Sequence, residues 1–141
     1  MTFTLPQPRK VDEADRPLVG AAVAARQKAY CPYSGFAVGA AVRGRDGQVF
    51  AGCNVENASY GLTNCAERVA VQNAVVGGVT AIAAIAIAAP GWATPCGACR
   101  QVLVEFGAAM KVLLVAPDQP ELVVELALGD LLPGHFKLDA P

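Results

Sequence analysis

Residues 64–106 read NCAERVAVQNAVVGGVTAIAAIAIAAPGWATPCGACRQVLVEF, a stretch in which two helical patterns surround one apolar run. The first predicted helix covers 65–76 and ends at a Gly-Gly pair. Residues 79–89 are almost entirely apolar, and we interpret this run as a buried central strand. A proline then precedes the second predicted helix, residues 96–106. Each helix therefore begins with a cysteine beside the same strand.

The flanking sequence extends this pattern in both directions. Upstream, residues 13–29 carry apolar side chains on one helical stripe, and two alternating segments joined by Asp46-Gly47 predict a hairpin. Downstream, short apolar segments predict two strands and a short helix; these elements are 111–116, 122–124 and 126–132. Helices alternating with strands predict an α/β fold. We expect a single domain over residues 1–141, a three-layer α/β/α sandwich with a mixed central sheet.

The composition supplies enough apolar material for a buried core. Of 141 residues, 54% are hydrophobic and 16% are charged, and the mean hydropathy is +0.39. So much apolar surface on a small domain favours burial against another copy of the chain, although a tight monomeric core is the alternative.

The charge balance disfavours a nucleic-acid partner. The chain has eleven Lys and Arg residues and 12 acidic residues, so its net charge is −1. The sequence has no dense basic cluster that could neutralise phosphates. No leader pattern begins the chain, and the longest apolar run, residues 81–89, is too short to cross a bilayer. We expect a cytoplasmic protein without a membrane partner, in which five cysteines serve metal binding or catalysis.

Three of these cysteines suit a catalytic metal. Cys65, Cys96 and Cys99 lie at helix beginnings, where free N–H groups and the positive dipole end lower a thiol's pKa. Zinc favours thiolate ligands, and three protein ligands leave the fourth position open for water, as in catalytic sites. Glu67, in the first turn of the first helix, can reach the same point as a general acid and base.

Arg68 follows Cys65 by three residues and shares its helical face. Three thiolates on one zinc leave a net negative centre, so an arginine that donates hydrogen bonds to the sulfurs would restore the acidity of the bound water. The alternative interpretation is an exposed arginine on a helix surface.

The pattern Cys65-Ala-Glu67 followed by Pro95-Cys96-x-x-Cys99 resembles the signature of the zinc deaminases. Further segments narrow the resemblance to the small, homotetrameric class of cytidine deaminases. They are Tyr33-Ser-Gly-Phe36, Gly52-Cys-Asn54-Val-Glu56-Asn57, Tyr60, Cys65-Ala-Glu-Arg68, Pro95-Cys-Gly-Ala-Cys-Arg-Gln101 and Leu131-Leu-Pro-Gly-His-Phe136. Gly35 and Thr94 depart from the residues common in that family, which puts fine substrate preference in doubt but not the mechanism.

The resemblance implies hydrolytic deamination of cytidine and 2′-deoxycytidine, with ammonia as the second product, in pyrimidine salvage. One Zn2+ per subunit would be held by Cys65, Cys96 and Cys99. In the family, zinc-bound hydroxide attacks C4 of the base, and the glutamate that matches Glu67 moves the protons.

The resemblance also implies a set of nucleoside contacts. Phe36 would stack on the pyrimidine, Asn54 and Glu56 would bind the ribose, and Phe136 would enter a neighbouring subunit's site. The full set of expected substrate-binding residues is Phe36, Asn54, Glu56, Tyr60, Ala66, Thr94 and Phe136. Without the resemblance, Phe36 would be interpreted as a core residue that begins a strand.

Four alternatives remain at this point. Thioredoxin-like redox chemistry would use the Cys-x-x-Cys pair but leaves Cys65 and Glu67 without a role. A structural zinc module lacks a convincing fourth ligand. A nucleic-acid-editing deaminase requires an electropositive track for the strand, which the charge balance opposes. A deaminase of a related small molecule, such as blasticidin S, has the same cysteine and glutamate set.

Overall fold

The computed structural model describes residues 2–141, which form one mixed sheet with helices on both faces. The strands are β1 Arg9–Lys10, β2 Gly39–Gly44, β3 Val49–Cys53, β4 Ile82–Ala88, β5 Lys111–Val115 and β6 Leu122–Ala127. The helices are α1 Arg16–Arg26, α2 Ala66–Val76, α3 Gly97–Gly107 and α4 Leu128–Leu131. Single turns of 3-10 helix occupy Glu13–Asp15, Tyr60–Leu62 and Pro90–Trp92.

The sheet has the strand order β1-β6-β5-β4-β2-β3. Strands β4 and β5 are parallel, with Ile85 opposite Val112, and all other neighbours are antiparallel. The apolar run predicted as a central strand is β4, which lies in the interior of the sheet between β5 and β2. The predicted mixed sheet is confirmed.

The two faces of β4 carry side chains of different size. Its isoleucines, among them Ile85 and Ile87, belong to the core under α2, α3 and α4. Three of its four alanines, Ala84, Ala86 and Ala88, belong to the core under α1. Because successive side chains of a strand point to opposite faces, one strand contributes to both cores. The sandwich therefore has the predicted three layers.

Gly52 fixes the distance between β3 and α2. A Cβ atom at Gly52 would lie 2.4 Å from the backbone nitrogen of Ala70 and 2.8 Å from the carbonyl oxygen of Ala66. Real Cβ atoms do not approach backbone so closely, so only glycine lets the first two turns of α2 lie directly on the strand. This contact sets where the beginning of α2 stands relative to the sheet.

Several boundaries differ from the predicted ones. Helix α1 ends at Arg26 rather than at residue 29. The backbone amides of residues 27–29 donate hydrogen bonds to carbonyl oxygens three residues back, which closes the helix with a turn. Strand β6 continues to Ala127, which leaves only Leu128–Leu131 for the last helix. The edge strand β1 was not predicted, since two residues are too short for an alternating pattern. In the described residues, no helix combines the length and apolar character needed to span a membrane.

Candidate active site and metal centre

The three predicted metal ligands meet at the beginnings of two helices. Cys65 is the N-cap residue of α2, Cys96 is the N-cap residue of α3, and Cys99 lies in the first turn of α3. All three Sγ atoms lie within 4.8 Å of one another. Cys99 is buried, Cys65 is half-buried and Cys96 is exposed. The two helices thus bring together thiols that are far apart in sequence.

The cluster holds a thiolate at neutral pH. The pKa of Cys65 is lowered to about 5, chiefly because the thiol of Cys99 donates a hydrogen bond to its sulfur, and the guanidinium of Arg68 adds to the effect. The same hydrogen bond, together with burial, raises the pKa of Cys99 above its ordinary value. Three thiolates this close together repel one another, so all three cysteines can lose their protons only when a cation lies between them.

This donor set fits a zinc ion. A Zn–S bond of about 2.3 Å in tetrahedral geometry separates the sulfurs by roughly 3.8 Å, which is compatible with the spacing of the cluster. The group that meets contains three thiols and no fourth protein ligand among the described residues. Three ligands with one open position are typical of catalytic rather than structural zinc.

Arg68 lies against the sulfur cluster, as predicted from its spacing. Its Nη2 atom is 3.6 Å from the sulfur of Cys65 and donates a hydrogen bond to the carbonyl oxygen of Thr63 at 3.1 Å. Its Nε atom is buried and lacks a hydrogen-bond partner among residues 2–141. The Cys65 thiolate raises the pKa of Arg68 further. The guanidinium therefore faces the metal ligands rather than solvent.

Glu67 is buried beside the cluster, with 5% of its surface exposed. Burial raises the pKa of Glu67 to about 7, and the nearby charge of Cys65 acts in the same direction. A carboxyl group with a pKa near neutrality can both accept and donate a proton under physiological conditions. The geometry gives Glu67 the properties of a general acid and base.

A cavity of about 330 Å³ opens in front of the cluster. Five of the seven predicted substrate-binding residues line it, together with Cys65, Glu67 and Cys96. These five are Phe36, Asn54, Glu56, Ala66 and Thr94. Its volume suits a small organic molecule, and its lining is mostly apolar with a few polar groups.

Asn54 and Glu56 have a structural role that their spacing did not indicate. The side-chain amide of Asn54 donates to the carbonyl oxygen of Phe36 at 2.8 Å and accepts from the amide of Val38 at 2.9 Å. The Oε1 atom of Glu56 accepts from the backbone amides of Tyr33 and Ser34. Both side chains therefore hold the loop that carries Phe36 in the cavity wall.

Tyr60 and Phe136 do not line the cavity of the single chain. Tyr60 is 73% exposed and its ring meets the ring of Tyr33 edge-on at 5.9 Å. Phe136 is 67% exposed, and its carbonyl oxygen accepts a hydrogen bond from Gln101 at 3.1 Å. Their substrate contacts stay predictions, and that of Phe136 depends on a second subunit.

Sequence reasoning gave Arg100 no role, yet its side chain makes three hydrogen bonds beside the site. It donates to the carbonyl oxygen of Pro95, to the hydroxyl of Thr94 and to the carbonyl oxygen of Leu131. The sequence signals were its position directly after the second cysteine of the Cys-x-x-Cys pair and its place in a segment that resembles the family.

Comparison with known proteins agrees with this geometry. A family model described as "Cytidine and deoxycytidylate deaminase zinc-binding region" matches residues 12–116. The chain belongs to this family. It is 45% identical to a cytidine deaminase of Sporosarcina psychrophila over 122 residues, 84% of this chain and 88% of that protein. It is 49% identical to a cytidine deaminase of Mycobacterium tuberculosis H37Rv over 125 residues, 86% of this chain and 89% of that protein.

Solved structures of cytidine deaminases have the same fold. The cytidine deaminase of Burkholderia pseudomallei is 51% identical, with a TM-score of 0.79 over 85% of this chain and 97% of that one. The enzyme of Mycobacterium tuberculosis is 45% identical, with a TM-score of 0.76 over 90% of this chain and all of that one. Membership in the deaminase family makes the protein an enzyme with zinc as its cofactor. The redox and structural-zinc alternatives are set aside.

Proposed function

We propose that the protein deaminates cytidine and 2′-deoxycytidine by zinc-dependent hydrolysis, forming uridine or deoxyuridine and ammonia. The observation that carries this proposal is the buried Glu67 beside three converging sulfurs at the inner end of a nucleoside-sized cavity. Relatives named cytidine deaminase cover most of the chain at 45–49% identity, which supports the same substrate class here.

Glu67 carries the proton transfers in this proposal. Bound by Cys65, Cys96 and Cys99, zinc supplies the Lewis acidity that makes water nucleophilic at neutral pH. Glu67 accepts a proton from this water and delivers it to N3 of the base while the water oxygen bonds to C4. It then takes the second proton of the water and gives it to the departing amine, so that the C4–N4 bond breaks and ammonia leaves. A pKa of about 7 suits both directions of transfer.

Arg68 tunes the sulfur ligands. Its guanidinium is 3.6 Å from Cys65 and draws electron density from that sulfur, so the ligand set donates less charge to the metal. A negatively charged ligand set without this contact would weaken the acidity on which the reaction depends.

The cavity residues bind the nucleoside. Phe36 stacks on the pyrimidine, and the backbones of Ala66 and Thr94 contact the edge of the base. Both polar atoms of the Asn54 amide and one oxygen of Glu56 are already bound to backbone. The second N–H of the Asn54 amide and the Oε2 atom of Glu56 take no part in these bonds, so we assign the ribose contact to them.

Four further expectations belong to the same proposal. The chain functions as one domain over residues 1–141, and it assembles as a homotetramer in which Phe136 enters a neighbouring site. The Phe136 ring is exposed on the single chain, as such a role requires. The enzyme acts in pyrimidine salvage in the cytoplasm, and its five free cysteines suit a reducing compartment.

A panel of substrates tests the proposal directly. Ultraviolet absorbance follows deamination of cytidine, 2′-deoxycytidine, blasticidin S and a cytosine-containing single-stranded oligonucleotide. We expect turnover of the two nucleosides and none of the oligonucleotide, because the chain lacks the excess of basic residues that strand binding requires. Turnover of blasticidin S alone would replace the proposal by the antibiotic-deaminase alternative. Light scattering measures the assembly, and an active monomer would contradict the shared site.

A further inference from the structure

The loop before Cys96 lacks the hydrogen bonds that fix the rest of the site. It follows β4 and the 3-10 turn Pro90–Trp92, in which Trp92 has an unusual φ of 57°. In the described chain, residues 93–95 make no backbone–backbone hydrogen bond. Yet Thr94 lines the cavity and Pro95 immediately precedes a metal ligand. Something else must hold this segment in place.

The guanidinium of Arg100 provides that support. Its Nε atom donates to the carbonyl oxygen of Pro95 at 2.7 Å, and its Nη2 atom donates to the hydroxyl oxygen of Thr94 at 3.1 Å. These are the only hydrogen bonds to residues 93–95 in the part of the chain that the structure describes. The planar, forked geometry of an arginine suits two adjacent acceptors held at once.

The third bond of Arg100 connects the loop to the core. Its Nη1 atom donates to the carbonyl oxygen of Leu131 at 2.9 Å. Helix α4, which contains Leu131, is fixed in turn: the Leu128 amide donates to the carbonyl oxygen of Met110, and both leucine side chains are buried. Arg100 therefore connects the loop to α4, which is itself bound to the residue before β5.

We propose that Arg100 is a positioning residue of the active site, holding Thr94 in the cavity wall and the backbone before Cys96 at the metal centre. For Thr94 the inference rests on the proposed deaminase function, because its base contact matters only for that substrate. For Cys96 it concerns ligand placement alone. Cys96 is the exposed member of the cluster and directly follows Pro95, whose carbonyl oxygen Arg100 holds.

Arg100→Met tests the proposal, since it removes all three donors and keeps an unbranched apolar side chain out to the position of Nε. We expect the kcat/KM for cytidine to fall about 10–100-fold, because small misplacements of contact groups have effects of that size. We also expect zinc to pass to an excess of a coloured chelator about tenfold faster or more, the lower range seen when groups that support metal ligands are lost. Arg43→Met is the matched control, because Arg43 also joins segments by hydrogen bonds, to Ala14 and Asp15, and does not line the cavity. It should lower Tm without changing either readout of the folded protein.

A lysine variant keeps the test valid if the methionine variant does not fold. Arg100→Lys retains the charge but offers one ammonium in place of a three-point fork. We expect Tm close to wild type together with a reduced kcat/KM and faster zinc release. If either folded variant matches wild type within twofold in both readouts, Arg100 is only a stabilising residue and the inference is overturned.

Failure of the deaminase proposal can be told apart from failure of this inference. Wild-type turnover of cytidine is measured in the same series, and the absence of turnover would refute the proposed function. Zinc release needs no substrate, so it still reports whether Arg100 positions Cys96. The double variant Arg100→Met with Thr94→Val adds a coupling test. We expect Thr94→Val to lower kcat/KM when Arg100 is present and to cause no further loss when Arg100 is already replaced by methionine. Fully additive losses would contradict coupling through Thr94.

Discussion

The Nη2 atom of Arg68 lies 3.6 Å from the sulfur of Cys65, one helical turn away on the same face of α2. The contact is half-buried, and the Nε atom of the same guanidinium has no hydrogen-bond partner among residues 2–141. A cation enclosed beside sulfur ligands changes how much charge they donate to a metal. A single substitution of Arg68 should therefore change the chemistry of the site.

Replacing Arg68 by glutamine should lower kcat about 10–100-fold, the range typical for loss of a group that supports metal ligands. The cysteines remain, so most of the zinc should remain bound. Steady-state kinetics and metal analysis on the same sample measure both effects. Arg45→Gln, at an exposed position without a side-chain hydrogen bond among the described residues, is the control. An unchanged kcat in Arg68→Gln would show that this arginine has no electronic role.

Replacing Glu67 by glutamine should reduce turnover by about 10²–10⁴-fold or more, because the amide cannot move protons between water and the base. Zinc should stay bound, since Glu67 is not one of the three clustered ligands. Glu105→Gln, an exposed change on α3, is the control. Near-normal turnover in a zinc-loaded Glu67→Gln sample would refute the role assigned to this residue.

Replacing Cys96 by serine should lower zinc occupancy and Tm together, because a hydroxyl is a much poorer zinc ligand than a thiolate and metal binding stabilises the fold. Metal content per chain and thermal unfolding measure the two effects. Cys31→Ser removes a free thiol outside the cluster and should leave both unchanged. Full zinc loading in Cys96→Ser is the result that would remove this cysteine from the ligand set.

The buried Asp15 makes stability depend on pH. Its carboxylate pairs with Lys111 at 2.6 Å and with Arg43 at 2.9 Å. Burial alone would raise the pKa of Asp15, but the hydrogen bonds and charges of these two partners together lower it below 3.8. A lowered pKa stabilises the folded state above the ordinary value, and this contribution disappears as the pH falls through the folded-state pKa.

Asp15→Asn should therefore destabilise the protein at pH 7 by about 1.5–3 kcal/mol, the range for a hydrogen bond to a charged group. Urea unfolding at several pH values measures the difference from wild type, which should shrink as the pH drops below about 3.8. Asp118→Asn, at an exposed site, should change neither value. A constant difference across the whole pH range would mean that ionisation of Asp15 does not contribute.

Gly52→Ala should destabilise the protein by about 1–3 kcal/mol, the usual cost of overpacking, because the new methyl group meets the backbone of Ala66 and Ala70. Zinc affinity should fall as well, since the shift moves the beginning of α2. Gly20→Ala on the exposed side of α1 has open space and should stabilise by about 0.5–1 kcal/mol. Equal effects of the two alanines in denaturant unfolding would contradict the close contact.

The sequence predicted those parts of the molecule that depend on local pattern. Cys65, Glu67 and Arg68 form one short segment at a helix beginning, and Cys96 and Cys99 form another, so local spacing indicated each half of the site. That the two halves meet was implied by the family resemblance rather than by spacing. The roles of Arg100 and Gly52 depend on which segments lie beside them in space, through Leu131 and Ala70, and no local pattern records that. Strand β1 has only two residues, which is too short for an alternating pattern to be recognised in the sequence. The substrate contacts predicted for Tyr60 and Phe136 are not seen in the single chain, because neither ring lines the cavity.

The unequal faces of β4 have a consequence for how the protein tolerates change. Under α1 the strand offers only methyl groups, which have no rotamers that could absorb an added carbon. Under α2 and α3 the isoleucines can change their χ2 rotamer when a neighbour grows or shrinks. Variation in side-chain volume should therefore accumulate beside the isoleucines, on the catalytic side of β4, and be rarer beside its alanines.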